Sequence, residues 1–437
     1  MWTLAQHSAS QQSTALAATA FVAALLSWKA LAYALRTSEK KEAVDESFRQ
    51  IHRPKSTLPV LGNTLDAMYL QTDRFVDWMS EQSALAGGKP WLMTILGQPP
   101  MFVISSPESY EDLFKTQLHI FERGETMSFI FKDFLGEGII AVDGHKWQQQ
   151  RKTASHLFTN RMMCEVMTEE VRAKAVKLRD LLDYCALEHK AVSMKSLISK
   201  FTSDVFTKIG FGVELHGLEA SKLDLEQEHP FIQAIDDMSR LLQLRFMMNR
   251  YPDVLRKIRE EIHEQLPELV SGEIDAPSME QLSRLPYLEA AMRENLRLNT
   301  SMTTRSPNQD TTLSCGTFIP KNSIVYVCHY ASARLKSTWG EDAAEYKPER
   351  WLDPDTGKLR QFSPFKFVTF LAGPRQCIGM RFAMLELRMV AAVLFNRFDI
   401  KTVENPFDLT YELSTVFPVK GRLLCKVERV SSIVSAA

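Results

Sequence analysis

The stretch FLAGPRQCIGMRFA, Phe370 to Ala383, sets one cysteine between two glycines, two residues after an arginine. A helix is expected to begin near Ile378. Its free amides and positive dipole end then point back at Cys377 and favour the thiolate, the form of the sulfur that binds metals or attacks carbon. Gly373 and Gly379 let the backbone approach a large flat ligand closely or take positive φ. Arg375 offers a planar fork for a carboxylate, and Phe370 an apolar cover that keeps water from the sulfur.

These neighbours suit a thiolate holding an iron porphyrin, with Arg375 for a propionate. A catalytic nucleophile and a structural thiol at a helix start are the competing readings; a nucleophile wants a nearby histidine base, and the stretch has none. The string F-x-x-G-x-R-x-C-x-G, carried by Phe370, Gly373, Arg375, Cys377 and Gly379, resembles the haem-ligand loop of the cytochrome P-450 family. More of the family's signatures stand in order upstream. In LPYLEAAMRENLRL, Glu294 and Arg297 form E-x-x-R on one helical face. As an isolated surface pair this contributes only about 0 to 1 kcal/mol. YKPERW follows, with Arg350 in P-E-R, and the resemblance implies that Glu294, Arg297 and Arg350 close a buried network beneath the haem. GHKWQQQRKTA supplies Trp147 and Arg151, similar to the family's W-x-x-x-R, whose side chains the resemblance assigns to a haem propionate.

The resemblance implies a mainly α fold with a small β part and a haem (heme b, iron protoporphyrin IX) whose metal ligand is Cys377. It further implies electrons from NADPH through NADPH-cytochrome P-450 reductase, and insertion of one oxygen atom into a small apolar substrate. The wording GEGIIAVDGHKWQQQRK resembles the eukaryotic branch that hydroxylates fatty acids and alkanes near the chain end. Just before it, IFERGETMSFIFKDFLGEGI carries Phe121, Phe129, Phe131 and Phe134 where the family's first pocket segment falls; an aromatic stripe is as readily core. Ser301 to Ser306, and Thr415 to Pro418 with Val416 and Phe417, are further pocket candidates. Arg305 reaches either a propionate or a substrate carboxylate.

The totals agree with a globular chain: 437 residues, 45% hydrophobic and 24% charged. The 52 basic and 53 acidic side chains nearly cancel, so no nucleic-acid partner is expected. Cys164, Cys185, Cys315, Cys328 and Cys425 are scattered without C-x-x-C spacing, which argues against a disulfide framework or a zinc site and for inert thiols. From Ala15 to Leu35 the chain is apolar apart from Thr19, Ser27 and Lys29, about the 20 residues a bilayer needs. No basic residue precedes this run, and Arg36, Lys40 and Lys41 follow it. The positive-inside tendency leaves the main domain cytosolic, and the resemblance puts the anchor in the endoplasmic reticulum membrane; a cleaved signal peptide would want a basic n-region. The expected organisation is an anchor over 1–41, a charged linker and Pro hinge over 42–62, and a haem-binding domain over 63–437.

Helical periodicity is expected over Asp66 to Leu85, Glu108 to Thr116, Gly144 to Leu157, Met167 to Leu187, Lys195 to Ile209 and Pro230 to Met247. Strands are expected at WLMTIL, MFVISS, SIVYVCHY, TYELSTVF and RLLCKVERV. One family feature is missing: the long distal helix with its A/G-G-x-D/E-T string. HPFIQAIDDMSRLLQLRFMM runs straight into NRYPDVLRKIREEI, which resembles the segment after that helix. A seam near Phe246 to Asn249 is therefore expected to lack several dozen residues. Asp310, Thr311 and Thr312 spell the acid-Thr string, but they follow Glu294 and precede a strand, so a turn cap is the better reading. Two functions stay open at this level: a working monooxygenase, or a haem-binding chain without turnover whose seam marks a skipped exon or an incomplete gene model.

Overall fold

The computed structural model describes residues 50–124, 128, 136–219, 251–300, 302–405 and 423–430. The apolar run Ala15–Leu35, the helix expected over Pro230 to Met247 with its seam, Phe129, Phe131, Phe134, the TYELSTVF strand, Val416 and Phe417 lie outside the described residues. Two compact units divide the chain, Met1–His52 and Arg53–Ala437, and the elements described here belong to the second. Among the described residues no helix is long and apolar enough to cross a membrane.

Helices dominate. The principal ones are α1 (Phe75–Leu85), α2 (Gly144–Ser155), α3 (Thr168–Leu187), α4 (Met194–Phe211), α5 (Pro252–Gln265), α6 (Pro286–Leu298) and α7 (Met380–Arg397). Several ends are written locally. Ser106 caps the short helix Pro107–Glu111 by accepting the Ser109 N–H at 3.3 Å, and Ser193 caps α4 through the Ser196 N–H. Gly212, at φ 72°, ends α4 in the left-handed conformation that only glycine adopts without strain. Pro252 and Pro286 open α5 and α6 at the position where a missing N–H costs nothing.

The single helix expected from Asp66 to Leu85 is broken. Asp66–Leu70 forms one wide turn and Thr72–Arg74 a 3-10 turn before α1 begins. The cause is local: Asp66 turns inward to accept from Ser56 and Asn63, so the apolar side chains of this turn cannot join the stripe of α1.

A five-stranded sheet has the order β1-β2-β8-β5-β3, from β1 (Trp91–Met93), β2 (Met101–Ile104), β3 (Phe121–Glu122), β5 (Met302–Pro307) and β8 (Ile324–Cys328). Among the described strands only β2 and β8 run parallel, with Met101 opposite Ile324. A three-stranded sheet orders β4 (Val192–Ser193), β10 (Leu424–Arg429) and β9 (Phe398–Thr402), and a two-stranded one joins β6 (Thr311–Thr312) to β7 (Phe318–Ile319). Thr311 and Thr312 are thus strand residues, and the Asp310 carboxylate accepts the Lys321 N–H at 2.7 Å: a turn device, as the string's position in the sequence suggests. The largest core joins α3 to α7 with β9 and β10, and a second packs α1 on β1, β2 and β8.

Under α6 sits a buried ionic network. Glu294 is fully buried and accepts Arg297 Nε at 2.7 Å, Arg297 Nη2 at 2.9 Å, Arg350 Nε at 3.2 Å, Trp351 Nε1 at 2.9 Å and the Lys347 N–H at 2.9 Å. Arg297 spends its remaining donors on the carbonyls of Ala333, Ala343 and Glu345, and Arg350 bonds Asp342 at 2.8 Å. Every charge has partners, so deletion of one leaves the others buried and unpaired. Glu294→Gln is expected to cost about 3 to 5 kcal/mol, measured as the shift in urea unfolding at fixed m-value.

On α7, Glu386 is a buried carboxyl whose Oε1 has no partner among the described residues, and burial pushes it up to about 8. The folded chain then holds a proton that the unfolded chain releases near 4.5, so stability falls as pH rises from 4.5 towards 8. Glu386→Gln is expected to flatten that fall, with a gain over the parent at pH 8 and none at pH 4, checked by denaturant unfolding across pH.

Candidate functional site

The cysteine loop is fixed by its backbone. The Cys377 N–H donates to the Phe370 carbonyl at 2.7 Å, and a 3-10 turn, Gly373–Arg375, lies inside this closure. Gly373 is required twice: its φ is 59°, and a Cβ there would lie 2.1 Å from the Phe114 carbonyl oxygen. Gly379 takes no positive φ. Its φ of −84° suits any residue, and a Cβ would meet Cys377 Sγ and Phe158 only at 4.0 Å, so its bare backbone keeps space beside the sulfur.

Helix α7 starts at Met380, two residues later than expected, with Gly379 as its cap. Cys377 stands exposed at that entrance. Phe370 is packed in the core; its carbonyl accepts the Cys377 backbone N–H.

Around the loop gathers a set of cations. Arg375 bonds the Asp143 carboxylate, donates to the Val142 carbonyl at 3.2 Å, and lies 3.9 Å from the centre of the Trp147 ring. Arg123 uses its backbone N–H on Asp143 at 2.7 Å, and its buried Nε has no hydrogen-bond partner among the described residues. Arg305 on β5 is buried; its Nη1 donates to the Thr304 carbonyl at 2.7 Å, while its Nη2 has no partner among the described residues. Burial, and then the charges of Arg123 and Arg375, push the Arg305 guanidinium well below its usual range. Burial likewise lowers Arg123 and Arg375, with Asp143 opposing it in both. Arg151, half-buried one turn after Trp147 on α2, adds further positive charge.

Asp143 is thus the carboxylate bonded within this cluster of guanidiniums, Glu122 adds negative charge near Arg375, and two buried guanidinium nitrogens have no partner among the described residues. Such groups are rarely left unsatisfied in a folded chain, and the donors here suit the carboxylates of an anionic ligand. The structure brings Arg375, Arg305, Trp147 and Arg151 into one neighbourhood beside Cys377. Arg305, grouped with the substrate pocket from sequence, belongs with these cations. Phe121 is fully buried in β3, opposite Pro307 of β5. Arg123 and Asp143 escaped the sequence reading. Both flank the pocket tract and the W-x-x-x-R helix, yet nothing in their local wording says that they share a centre.

A groove of about 440 Å³ opens beside the loop, lined by Phe370, Gln376, Met380, Met384, Arg293 and Arg388 among others.

The cytochrome P450 family model matches residues 53–249 and 243–425. Similar curated proteins include cytochrome P450 CYP94D108 of Paris polyphylla, 27% identical over 465 positions covering 85% of this chain and 92% of that protein. Cytochrome P450 94B3 of Arabidopsis thaliana is 25% identical, covering 86% and 92%. Alkane hydroxylase MAH1 of the same plant is 23% identical, covering 79% and 89%. The chain belongs to the cytochrome P450 family, whose members are haem monooxygenases. The mainly helical fold with its small sheets is that family's fold.

Gly373→Ala is expected to open the loop, because the new Cβ collides with backbone that cannot swing away. Gly357, also at positive φ (67°) but with nothing within 4 Å of an added Cβ, is the control: Gly357→Ala should cost only about 1 to 2 kcal/mol. Thermal unfolding of both variants checks the difference.

Proposed function

We propose that Cys377 is the iron ligand of a haem b and that the arginine cluster receives the haem carboxylates. The observation that carries this is the pair of buried, unspent donors on Arg123 and Arg305 beside an exposed cysteine whose loop is locked by the Phe370 carbonyl. Arg375, held by Asp143 and stacked on Trp147, is aimed by both and supplies the third guanidinium. Arg151 adds attraction for a dianionic edge. Gly379 leaves the sulfur accessible to a flat ligand. A haem held by thiolate supplies the activation of molecular oxygen for insertion of one atom into a C–H bond. The chain's part is to orient that group, neutralise its carboxylates and present the sulfur at a helix entrance.

The substrate in this reading is a long-chain apolar compound, a fatty acid or alkane, supported by the wording around Trp147 and by likeness to a protein named alkane hydroxylase. Electrons come from an NADPH-dependent reductase. Ala15–Leu35 anchors the chain in the endoplasmic reticulum membrane with the main domain cytosolic, as its length and flanking charges suggest.

A second reading, haem binding with impaired turnover, is favoured by a specific observation. The family match falls in two segments that meet over 243–249, the position of the expected seam. The alignment with the Paris polyphylla relative runs over 465 positions although only 85% of this 437-residue chain takes part, so that relative carries residues this chain lacks. Loss of the distal wall removes the groups that govern whether oxygen is bound, activated or excluded.

The reduced carbonyl-bound protein is expected to show the red-shifted thiolate-haem band, and Cys377→Ser to abolish it; an unchanged spectrum in that variant overturns the ligand assignment. Arg305→Leu should move two readouts in opposite directions. Removal of an unpaired buried charge stabilises the haem-free chain, while haem loss to an acceptor protein quickens about tenfold, the effect of one lost charge-assisted bond. The band without hydroxylated product from a long-chain alkane or fatty acid marks the second reading.

A further inference from the structure

At the far end of α7 from the cysteine loop lies a groove of about 700 Å³ that the haem reading leaves unused. Val393, Asn396 and Arg397 reach it from α7, and Val393 stands about 20 Å along the helix axis from Met380. The other walls are α3, the last turn of α5, the short helix Pro267–Ser271 with the turn after it, and the end of β10. These walls are tied to one another. Asn396 Nδ2 donates to the Leu269 carbonyl at 3.3 Å, Arg179 Nη1 to Asp275 Oδ1 at 2.7 Å, and Arg429 Nε to Asp183 Oδ1 at 2.6 Å. Each bond joins two different elements, so the opening is part of the frame.

The lining has two characters. Val393 and Leu269 are buried and Ile274 packs on the largest core, which gives the groove an apolar floor. Beside that floor, Arg397 and Arg429 lean on one carboxylate: Asp183 Oδ2 lies 2.8 Å from Arg397 Nη2, while its Oδ1 is taken by Arg429. The Arg429 Nη1 and Nη2 make no bond among the described residues. One turn back on α3, Arg179 is met by two carboxylates, Asp180 and Asp275. The unspent guanidinium edges therefore belong to the α7 and β10 side. We infer that this groove binds an organic anion with an apolar body, its head on Arg397 and Arg429 and its body over the floor. A guanidinium fork matches a carboxylate, sulfonate or phosphate head. A simple inorganic anion leaves the floor wet, and an uncharged apolar molecule leaves the forks unused; a ligand that carries both characters gains from both. The volume falls in the range of small-molecule sites, about 300 to 1,000 Å³. The inference is independent of the haem reading and concerns the opposite end of α7.

The test uses the full chain and the photoreactive anion 4-benzoylbenzoate, with benzophenone as its uncharged counterpart. Illumination followed by peptide mass spectrometry should place the anion on peptides carrying Leu269 to Ile274 or Val393 to Arg397. The yield there should exceed that of benzophenone about tenfold, the effect of one charge-assisted contact. Arg429→Leu should lower the labelling about tenfold, and Val270→Trp, which fills the groove from a half-exposed position without a change of charge, should lower it as far. Arg161→Leu, an exposed arginine outside the groove that pairs with Glu165, should leave it unchanged. Thermal unfolding confirms that each variant is folded. Absent labelling, equal labelling by the two probes, labelling that maps outside the groove, or parental labelling of Arg429→Leu would each overturn the inference. Labelling that appears only once residues 431–437 are removed would overturn it too, since the groove would then hold the chain's own residues.

Discussion

The Glu294 carboxylate is the constraint on which the cysteine loop depends. It is fully buried and takes donors from Arg297, Arg350, Trp351 and the Lys347 backbone, which pins the Pro348–Trp351 turn against α6. Trp351 so held meets the Phe367 ring edge-on at 4.8 Å between centres, and Thr369 bonds the Leu296 carbonyl on α6 at 2.9 Å. The chain thereby arrives at Phe370 in register, and Phe370 presents the carbonyl that closes on Cys377. An ionic network of this kind contributes little net stability compared with an apolar core of equal volume. Its value here is geometric, since one displaced member leaves several charges unpaired and shifts the support of the loop.

The arginine cluster obeys the opposite logic. Glu294 is saturated with donors, whereas Arg123 and Arg305 keep donors unspent among the described residues, beside Arg375, whose bonded carboxylate is Asp143. A folded chain tolerates that imbalance when a ligand restores it. Under the haem reading proposed above, loading with the cofactor becomes part of folding stability. Under the same reading, the proposed seam and the cysteine loop are separable in their consequences. The first bears on oxygen and substrate, the second on whether haem is held at all.

Much of this arrangement is written in the sequence. The loop string, E-x-x-R, P-E-R and W-x-x-x-R announce both centres, because each joins residues close enough along the chain for local geometry to dictate their meeting. The decoy at Asp310 is legible as a turn for the same reason. Three features are illegible. The Asp66–Leu85 helix breaks because Asn63 and Ser56 compete for Asp66, and periodicity carries no trace of such a competitor. Arg123 and Asp143 are ordinary wording until β3, β5 and α2 converge. The exposed apolar side chains of 58–70 look like the start of a core stripe until burial is known.

The sequence by itself determined the family and the partners of the ionic network, since these rest on residue identity at short, fixed spacings. Only the tertiary structure decided which arginines are spent and which are free, where Gly373 meets the Phe114 carbonyl, and which side of the Asp66 turn faces out. Those outcomes depend on competition among groups far apart in the chain for the same buried acceptor or the same space. Such competition is settled by packing, after the local signals have been read.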